Sequence, residues 1–128
     1  MGNHIYYGRY LELLEAARGE FFRHLGVTFQ QWQQRQLIFP VIECRLRYHA
    51  PARYDDLLSI ALFPSLVQGI RLNFGYRISN QHNQPLFEGE TCHICTSLDE
   101  KPKKLPEDLT TLLQPYLSPD NASKKVKE

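Results

Sequence analysis

The chain has 128 residues, of which 42% are hydrophobic and 23% charged, and its net charge is +1. That length favours one compact domain, and the near-neutral charge gives no basic field of the kind that nucleic-acid binding needs. No apolar run approaches the roughly 20 residues of a bilayer span, and the start lacks the pattern of a signal peptide. The odd number of cysteines, three, favours reduced thiols, so a cytoplasmic location is expected.

The longest helical pattern runs from Ile5 to Gly26. Gly26, just past the predicted end of the helix, and the basic residues in the last turn are typical of a helix end. Because the apolar stripe of this helix is wide and aromatic, we expect a sheet to cover it. The stripe is formed by residues spaced three or four apart and by three residues that widen it: Tyr10, Leu14, Ala17, Phe21, Leu25, Leu11, Leu13 and Phe22.

The rest of the chain predicts mainly strands. Thr28 is a candidate cap for a short second helix, and Pro106 is predicted to open a third at the first helical position, where proline is tolerated. Alternation of apolar and polar residues predicts four strands joined by short turns, which implies antiparallel pairing and an α+β fold. A single domain over residues 1–117 is expected, with residues 118–128 as a frayed tail. The four predicted strands are Ile38–His49, Leu57–Val67, Ile70–Ser79 and Leu86–Leu98.

The first 26 residues resemble the start of hotdog-fold acyl-CoA thioesterases of the 4-hydroxybenzoyl-CoA thioesterase type, including the Tol–Pal-associated branch. The matching positions are Gly2, Tyr6-Tyr7, Tyr10-Leu11 and Glu15 to Arg18, and two later blocks match in order, Ala50–Leu58 and Glu88–Leu109. The resemblance implies a long central helix wrapped by an antiparallel sheet.

The family's first strand is not visible in this sequence. In the family that strand ends in a catalytic Asp, which would lie immediately before Met1. Met1-Gly2 resembles the interior of the family motif, so we expect that the chain starts late.

The resemblance also implies roles for residues around the helix start. The backbone N–H at Tyr7, beside Gly8, would hold the oxyanion that forms when a thioester carbonyl is attacked. His4 would act as a base or orient water, or it is simply a solvated histidine. Glu15 would be an alternative catalytic carboxylate, or it forms an ion pair with Arg18.

Substrate contacts are predicted in two places. Tyr6 and Tyr10 would lie beside the acyl group. Arg71 and the lysine loop, defined as Lys101, Lys103 and Lys104, would attract the phosphates of CoA. Basic residues on strands more often form only a solvated face, so the lysine loop and one Arg row are the set to test.

Cys92 and Cys95 have the spacing of a metal or redox pair, but residues three apart on a strand face opposite sides, and no second such pair completes four ligands. Strand packing is the simpler interpretation. No metal site is therefore predicted.

The leading hypothesis is an acyl-CoA thioesterase that needs no metal or redox cofactor, with coenzyme A present only as part of the substrate. It would work as a homo-oligomer, a dimer or a tetramer. The alternatives are a non-catalytic hotdog module that binds acyl-CoA or a protein, favoured by the absent Asp, and a hydratase or dehydratase, for which only His4 of the expected Asp and His pair is present.

Overall fold

The structure, a computed structural model, describes residues 7–117. His4, Tyr6 and the predicted tail at residues 118–128 lie outside the described residues. The α+β architecture with an antiparallel sheet is confirmed. Its elements, in chain order, are α1 (Tyr7–His24), α2 (Phe29–Gln34), β1 (Leu37–Ile38), β2 (Val41–Tyr48), β3 (Ser59–Gln68), β4 (Arg71–Ser79), β5 (Pro85–Ile94), β6 (Thr96–Ser97), α3 (Glu107–Leu113) and a 3₁₀ turn (Gln114–Tyr116).

The main sheet has four strands in the order β2-β5-β4-β3, and every neighbouring pair is antiparallel. Strands β1 and β6 form a separate two-stranded ladder. Two of the predicted strands are therefore wrong in extent, because each is interrupted. The predicted strand Ile38–His49 breaks before Val41, because Pro40 has no N–H to donate to a neighbouring strand. The predicted strand Leu86–Leu98 breaks at Cys95, whose N–H donates to the carbonyl of Ile70.

Helix α1 lies on one face of this sheet and runs antiparallel to β4. The ring of Tyr10 stacks on Phe87, which is paired with Ile78 near the end of β4, whereas Phe22 contacts Phe74 near its beginning. The core between helix and sheet is apolar and rich in aromatic rings, and burying it is the main stabilising contribution to the fold. Its innermost members, exposed by 1% or less, include Tyr10, Leu14, Leu72, Phe74, Tyr76, Ile78 and Phe87.

The helix ends follow the sequence signals. Gly26 has φ +86°, a left-handed conformation that suits glycine after a helix. Thr28 and Gln31 form a capping box at the start of α2, as the sequence predicts a cap there. Leu11 corrects the predicted stripe, because 43% of its surface is exposed and it does not contribute to the core. Within the described residues, no helix has the length and apolarity that crossing a membrane would take.

Candidate active site

The N–H groups in the first turn of α1 have no hydrogen-bond partner within the helix itself. The helix begins at Tyr7, and no acidic residue lies in its first turn. Among the described residues, a Cβ atom added at Gly8 would meet no atom within 4 Å beyond its chain neighbours and the helix's own backbone. Such a helix start carries partial positive charge and can hold a developing oxyanion. Tyr7 and Gly8 lie at this helix start, and their role in holding the oxyanion stays a prediction.

A cavity of about 330 Å³ lies between α1, residues 39–41 and the inner face of β4 and β5. We call it the ring-lined cavity, because four phenylalanines contribute to its wall. Glu15 also lines it and has an exposed side chain, so this carboxylate lies at the mouth. The residues around the cavity are Glu15, Arg18, Phe22, Phe29, Phe39, Pro40, Val41, Leu72, Phe74 and His93.

The floor of the ring-lined cavity is a chain of hydrogen bonds that all run in one direction. The carbonyl of Phe39 can only accept, so Nδ1 of His93, 3.0 Å away, carries a proton and donates to it. In a neutral imidazole, Nε2 then accepts from the Thr91 hydroxyl at 2.9 Å, and Thr91 accepts from the Tyr76 hydroxyl at 2.7 Å. The guanidinium of Arg18 donates to the Tyr76 oxygen at 2.9 Å and begins the chain.

The protonation states agree with this direction. Burial lowers the pKa of His93 to about 4; the charge of Arg18 lowers it too, while the bond to Phe39 opposes the shift. Burial likewise raises the pKa of Tyr76, which therefore keeps its proton at neutral pH. A protonated His93 would present a second N–H to Thr91 and reverse the chain, which would leave Tyr76 facing two donors. The floor is built for a neutral imidazole.

The position of Arg18 was not predicted by the sequence. The interpretation that pairs it with Glu15 is wrong for this structure, since the guanidinium reaches Tyr76 on β4 instead. Among residues 7–117, no carboxylate lies within ion-pair distance of Arg18. The one available signal was the alternation of β4, which puts the hydroxyl of Tyr76 inside the core, where it needs a partner.

The predicted contact between Tyr10 and the acyl group gains no support from the packing. Tyr10 is 1% exposed, and its ring stacks on Phe87 with centroids 4.2 Å apart. Burial also raises the pKa of its hydroxyl. A substrate could touch this ring only if the core opened, so Tyr10 serves mainly to anchor the first half of α1 to the sheet.

Arg71 and the lysine loop lie at one end of the sheet. The loop is tied there because Leu105 donates to the carbonyl of Gly69, next to the start of β4, and Lys103 donates to the carbonyl of Cys95. The start of α1 is at the other end, beyond the Tyr10–Phe87 stack. The nine residues of β4 separate the two ends by about 25 Å. Within one chain, the predicted oxyanion site and the predicted phosphate site are therefore far apart.

The three cysteines and an open groove beside β3 do not line the ring-lined cavity. The three cysteines are free thiols with different neighbours: Cys92 faces Arg45, and Cys95 contacts the carbonyl of Lys104. Within the described residues, no three His, Cys, Asp or Glu side chains are grouped so that they could hold a metal ion. A larger, open groove of about 650 Å³ runs between α1 and β3, and its wall is mostly aliphatic.

Comparison with known proteins assigns the family. Residues 2–87 match the model of the Thioesterase superfamily. The acyl-CoA thioester hydrolase YbgC of Shigella flexneri is 34% identical over 109 residues, which cover 84% of this chain and 81% of that protein. The 1,4-dihydroxy-2-naphthoyl-CoA hydrolase of Thermosynechococcus vestitus is 24% identical over 121 residues, covering 93% of this chain and 82% of the relative.

Solved structures agree in fold. The hypothetical protein TT1821 of Thermus thermophilus superposes with a TM-score of 0.81 at 29% identity, covering 89% of this chain and 87% of the other. The 1,4-dihydroxy-2-naphthoyl-CoA thioesterase Slr0204 of Synechocystis has a TM-score of 0.81 at 22% identity, over 88% and 84% of the two chains. The predicted hotdog fold and the resemblance on which it depended are confirmed, and the chain belongs to the thioesterase superfamily.

Proposed function

We propose that the protein is an acyl-CoA thioester hydrolase that releases a free acid and CoA. The observation that carries this proposal is the placement of Glu15 on α1, at the mouth of the ring-lined cavity. A carboxylate that borders a pocket with aromatic walls can deprotonate water beside an apolar acyl group. The names of the relatives, acyl-CoA thioester hydrolases among them, support the same chemistry.

The reaction needs a base and an oxyanion site. Glu15 takes a proton from water as the water oxygen attacks the thioester carbonyl. N–H groups at the start of α1 stabilise the negative charge that develops on the carbonyl oxygen. When the intermediate collapses, the C–S bond breaks and Glu15 gives its proton to the departing CoA thiolate. This scheme involves no metal or redox cofactor, and coenzyme A enters only as part of the substrate.

We propose further that two copies of the chain pair through β2. This strand is at the edge of the sheet, and its outer edge is unpaired in the described structure. Val41, Ile42 and Tyr48 on it are 47%, 50% and 46% exposed, and Leu11 on α1 is 43% exposed. Exposed apolar residues on an edge strand favour association, and antiparallel pairing of two such edges about a twofold axis would extend the sheet across the dimer.

That pairing would bring the two halves of the site together. A twofold axis through the middle of β2 exchanges its Tyr48 end, near the start of α1, with its Val41 end, near the ring-lined cavity. The helix start of one copy would then lie at the level of the cavity and Glu15 of the other. The active site would be shared between copies, and neither copy would be sufficient alone.

The same twofold axis determines where the lysine loop would lie relative to the shared site. Arg71 and the lysine loop lie at the end of the sheet that the twofold axis brings toward the helix start of the second copy. Long-range attraction between these cations and the CoA phosphates would then help binding without a part in the chemistry. The three free thiols support a reducing, cytoplasmic location.

The test is release of free CoA thiol from short, long and aromatic acyl-CoAs by the wild type and two helix variants. Glu15→Gln keeps the size of the side chain and removes the base, and it should lower kcat by about 10²- to 10⁴-fold. Glu12→Gln is the matched control, because Glu12 is exposed on the same helix and, within the described residues, forms an ion pair only with Arg9. Equal losses in both variants, or none in Glu15→Gln, would assign the base to another carboxylate. No thiol release from any acyl-CoA would contradict the proposal.

A further inference from the structure

We infer that the ring-lined cavity selects acyl groups that end in a carboxylate, and that Arg18 is the residue that recognises this carboxylate. The inference rests on the proposed function, because it assigns the acyl part of the thioester to this cavity. It names a specificity-determining residue in addition to the base and the oxyanion site. Three features of the cavity support it: the unused donors of Arg18, the rigidity of the floor, and the apolar walls.

Arg18 has unused hydrogen-bonding capacity and, among residues 7–117, no counter-ion. A guanidinium carries five N–H donors, and the structure shows one hydrogen bond from it, to the Tyr76 hydroxyl. The side chain is partly buried and lines the ring-lined cavity. The described part of the chain offers it no carboxylate within ion-pair distance. A partly buried cation of this kind favours an anionic partner, and a carboxylate fits the guanidinium fork with two parallel bonds.

The floor cannot supply that anion and holds the guanidinium in place. Tyr76 stays protonated and its hydroxyl donates a hydrogen bond to Thr91, whose own hydroxyl donates a hydrogen bond to His93. Each donor in this chain is committed, so none of these groups can turn to neutralise Arg18. Tyr76 and Thr91 are also 1% and 3% exposed, which fixes them by packing. The charge of Arg18 is thereby presented to the cavity in one orientation.

The walls define the body of the ligand. Four phenylalanines and a leucine make most of the cavity apolar, so the acyl group between the thioester and its charged end should be apolar too. The volume, about 330 Å³, is at the small end of ligand sites. Glu15 and Arg18 are three residues apart on α1, which separates their Cβ atoms by about 5–6 Å. A ring-sized spacer would therefore connect the two.

The carboxylate of Glu15 does not oppose this arrangement. Its side chain is exposed at the mouth, where water screens its charge, whereas Arg18 is partly buried. A ligand that reaches the guanidinium with its carboxylate leaves its carbonyl carbon at the mouth. Glu15 then faces the carbonyl end, where a base is required, and Arg18 faces the acid end.

The test uses two substrates that differ only at the far end of the ring, 4-carboxybenzoyl-CoA and 4-methylbenzoyl-CoA. We expect the wild type to prefer the carboxylate by about 10- to 100-fold in kcat/KM, the range of a charge-assisted hydrogen bond. Arg18→Gln removes the charge and should bring the ratio close to one. Arg18→Lys keeps the charge and should keep part of the preference. Arg23→Gln, which removes an exposed arginine of the same helix, should leave the ratio unchanged.

Binding of the unreactive thioethers S-(4-carboxybenzyl)-CoA and S-(4-methylbenzyl)-CoA, measured by calorimetry, separates this inference from the proposed function. A preference for the carboxybenzyl thioether that Arg18→Gln abolishes supports the inference even if neither thioester is hydrolysed. Hydrolysis of both thioesters at equal rates by the wild type would overturn the inference and leave the proposed function intact. The inference also fails if Arg18→Gln dissociates the dimer and leaves the thioether preference unchanged, since Arg18 would then serve the interface.

Discussion

Acidification should destabilise the fold through His93, and the structure gives the size of the effect. Burial lowers the pKa of this imidazole from 6.5 to about 4 in the folded protein, whereas the unfolded chain keeps the ordinary value. Between these two values the unfolded state binds the proton and the folded state does not. His93 therefore contributes stability that is fully present above about pH 6.5 and is lost as the pH falls toward 4.

A shift of that size corresponds to about 3 kcal/mol of unfolding free energy, at 1.36 kcal/mol for each pKa unit. The assay is urea denaturation at pH values from 7.5 to 4.5, on the wild type and on His93→Gln, which cannot titrate at this position. Carboxylates titrate in both proteins, so their contribution cancels in the difference. The wild-type curve should fall more steeply with acid and approach the curve of the variant.

The control is His82→Gln, because His82 is exposed in the turn between β4 and β5. Its pH dependence should match the wild type. Parallel pH curves for the wild type and His93→Gln would refute the reasoning, since they would mean that His93 takes up its proton as easily in the folded state as in the unfolded one. The directional hydrogen-bond chain at the floor of the ring-lined cavity would then be wrong.

Two further predictions concern the helix start and the lysine loop. Tyr7→Pro removes a backbone N–H at a helical position that tolerates proline, and it should lower kcat by about 10²- to 10³-fold. Tyr7→Ala keeps the N–H and should retain most activity. Similar thiol-release rates for the two variants would exclude the amide as the oxyanion donor. Replacing the three lysines of the lysine loop with Gln should raise KM at low salt and leave kcat nearly unchanged, and the effect on KM should fade as salt rises. A fall in kcat, or a KM that does not respond to the change, would mean that the CoA phosphates bind elsewhere.

Local patterns were sufficient for the helices and for the strands of the sheet. The stripe of α1 and the alternation of β4 each follow from the side-chain period of the element, and both elements lie within two residues of their predicted bounds. The Thr28 cap is a signal within four residues and was equally readable. Local patterns could not predict the interruptions of strands. The break at Cys95, for example, depends on a hydrogen bond to Ile70, which lies next to β4 and is distant in sequence.

The candidate site was predicted in part. Glu15, Tyr7 and Gly8 came from the resemblance, and the structure places Glu15 at a cavity and the other two at the helix start. The floor was missed because its contacts join residues far apart in sequence: Arg18 and Tyr76 are 58 positions apart. Spacing along a helix predicts neighbours on that helix, and it cannot show that a side chain will cross to a strand.

The central claim is that each active site uses the helix start of one copy and Glu15 of the other, and mixing two inactive variants tests it directly. Tyr7→Pro and Glu15→Gln should each be nearly inactive as homodimers. If equal amounts exchange subunits at random, half of the dimers are mixed, and each mixed dimer holds one site in which both groups are intact. The account predicts that thiol release recovers to about a quarter of the wild-type rate at the same total protein. Recovery no greater than that of the separate variants would contradict it, because both groups would then belong to a site within one chain.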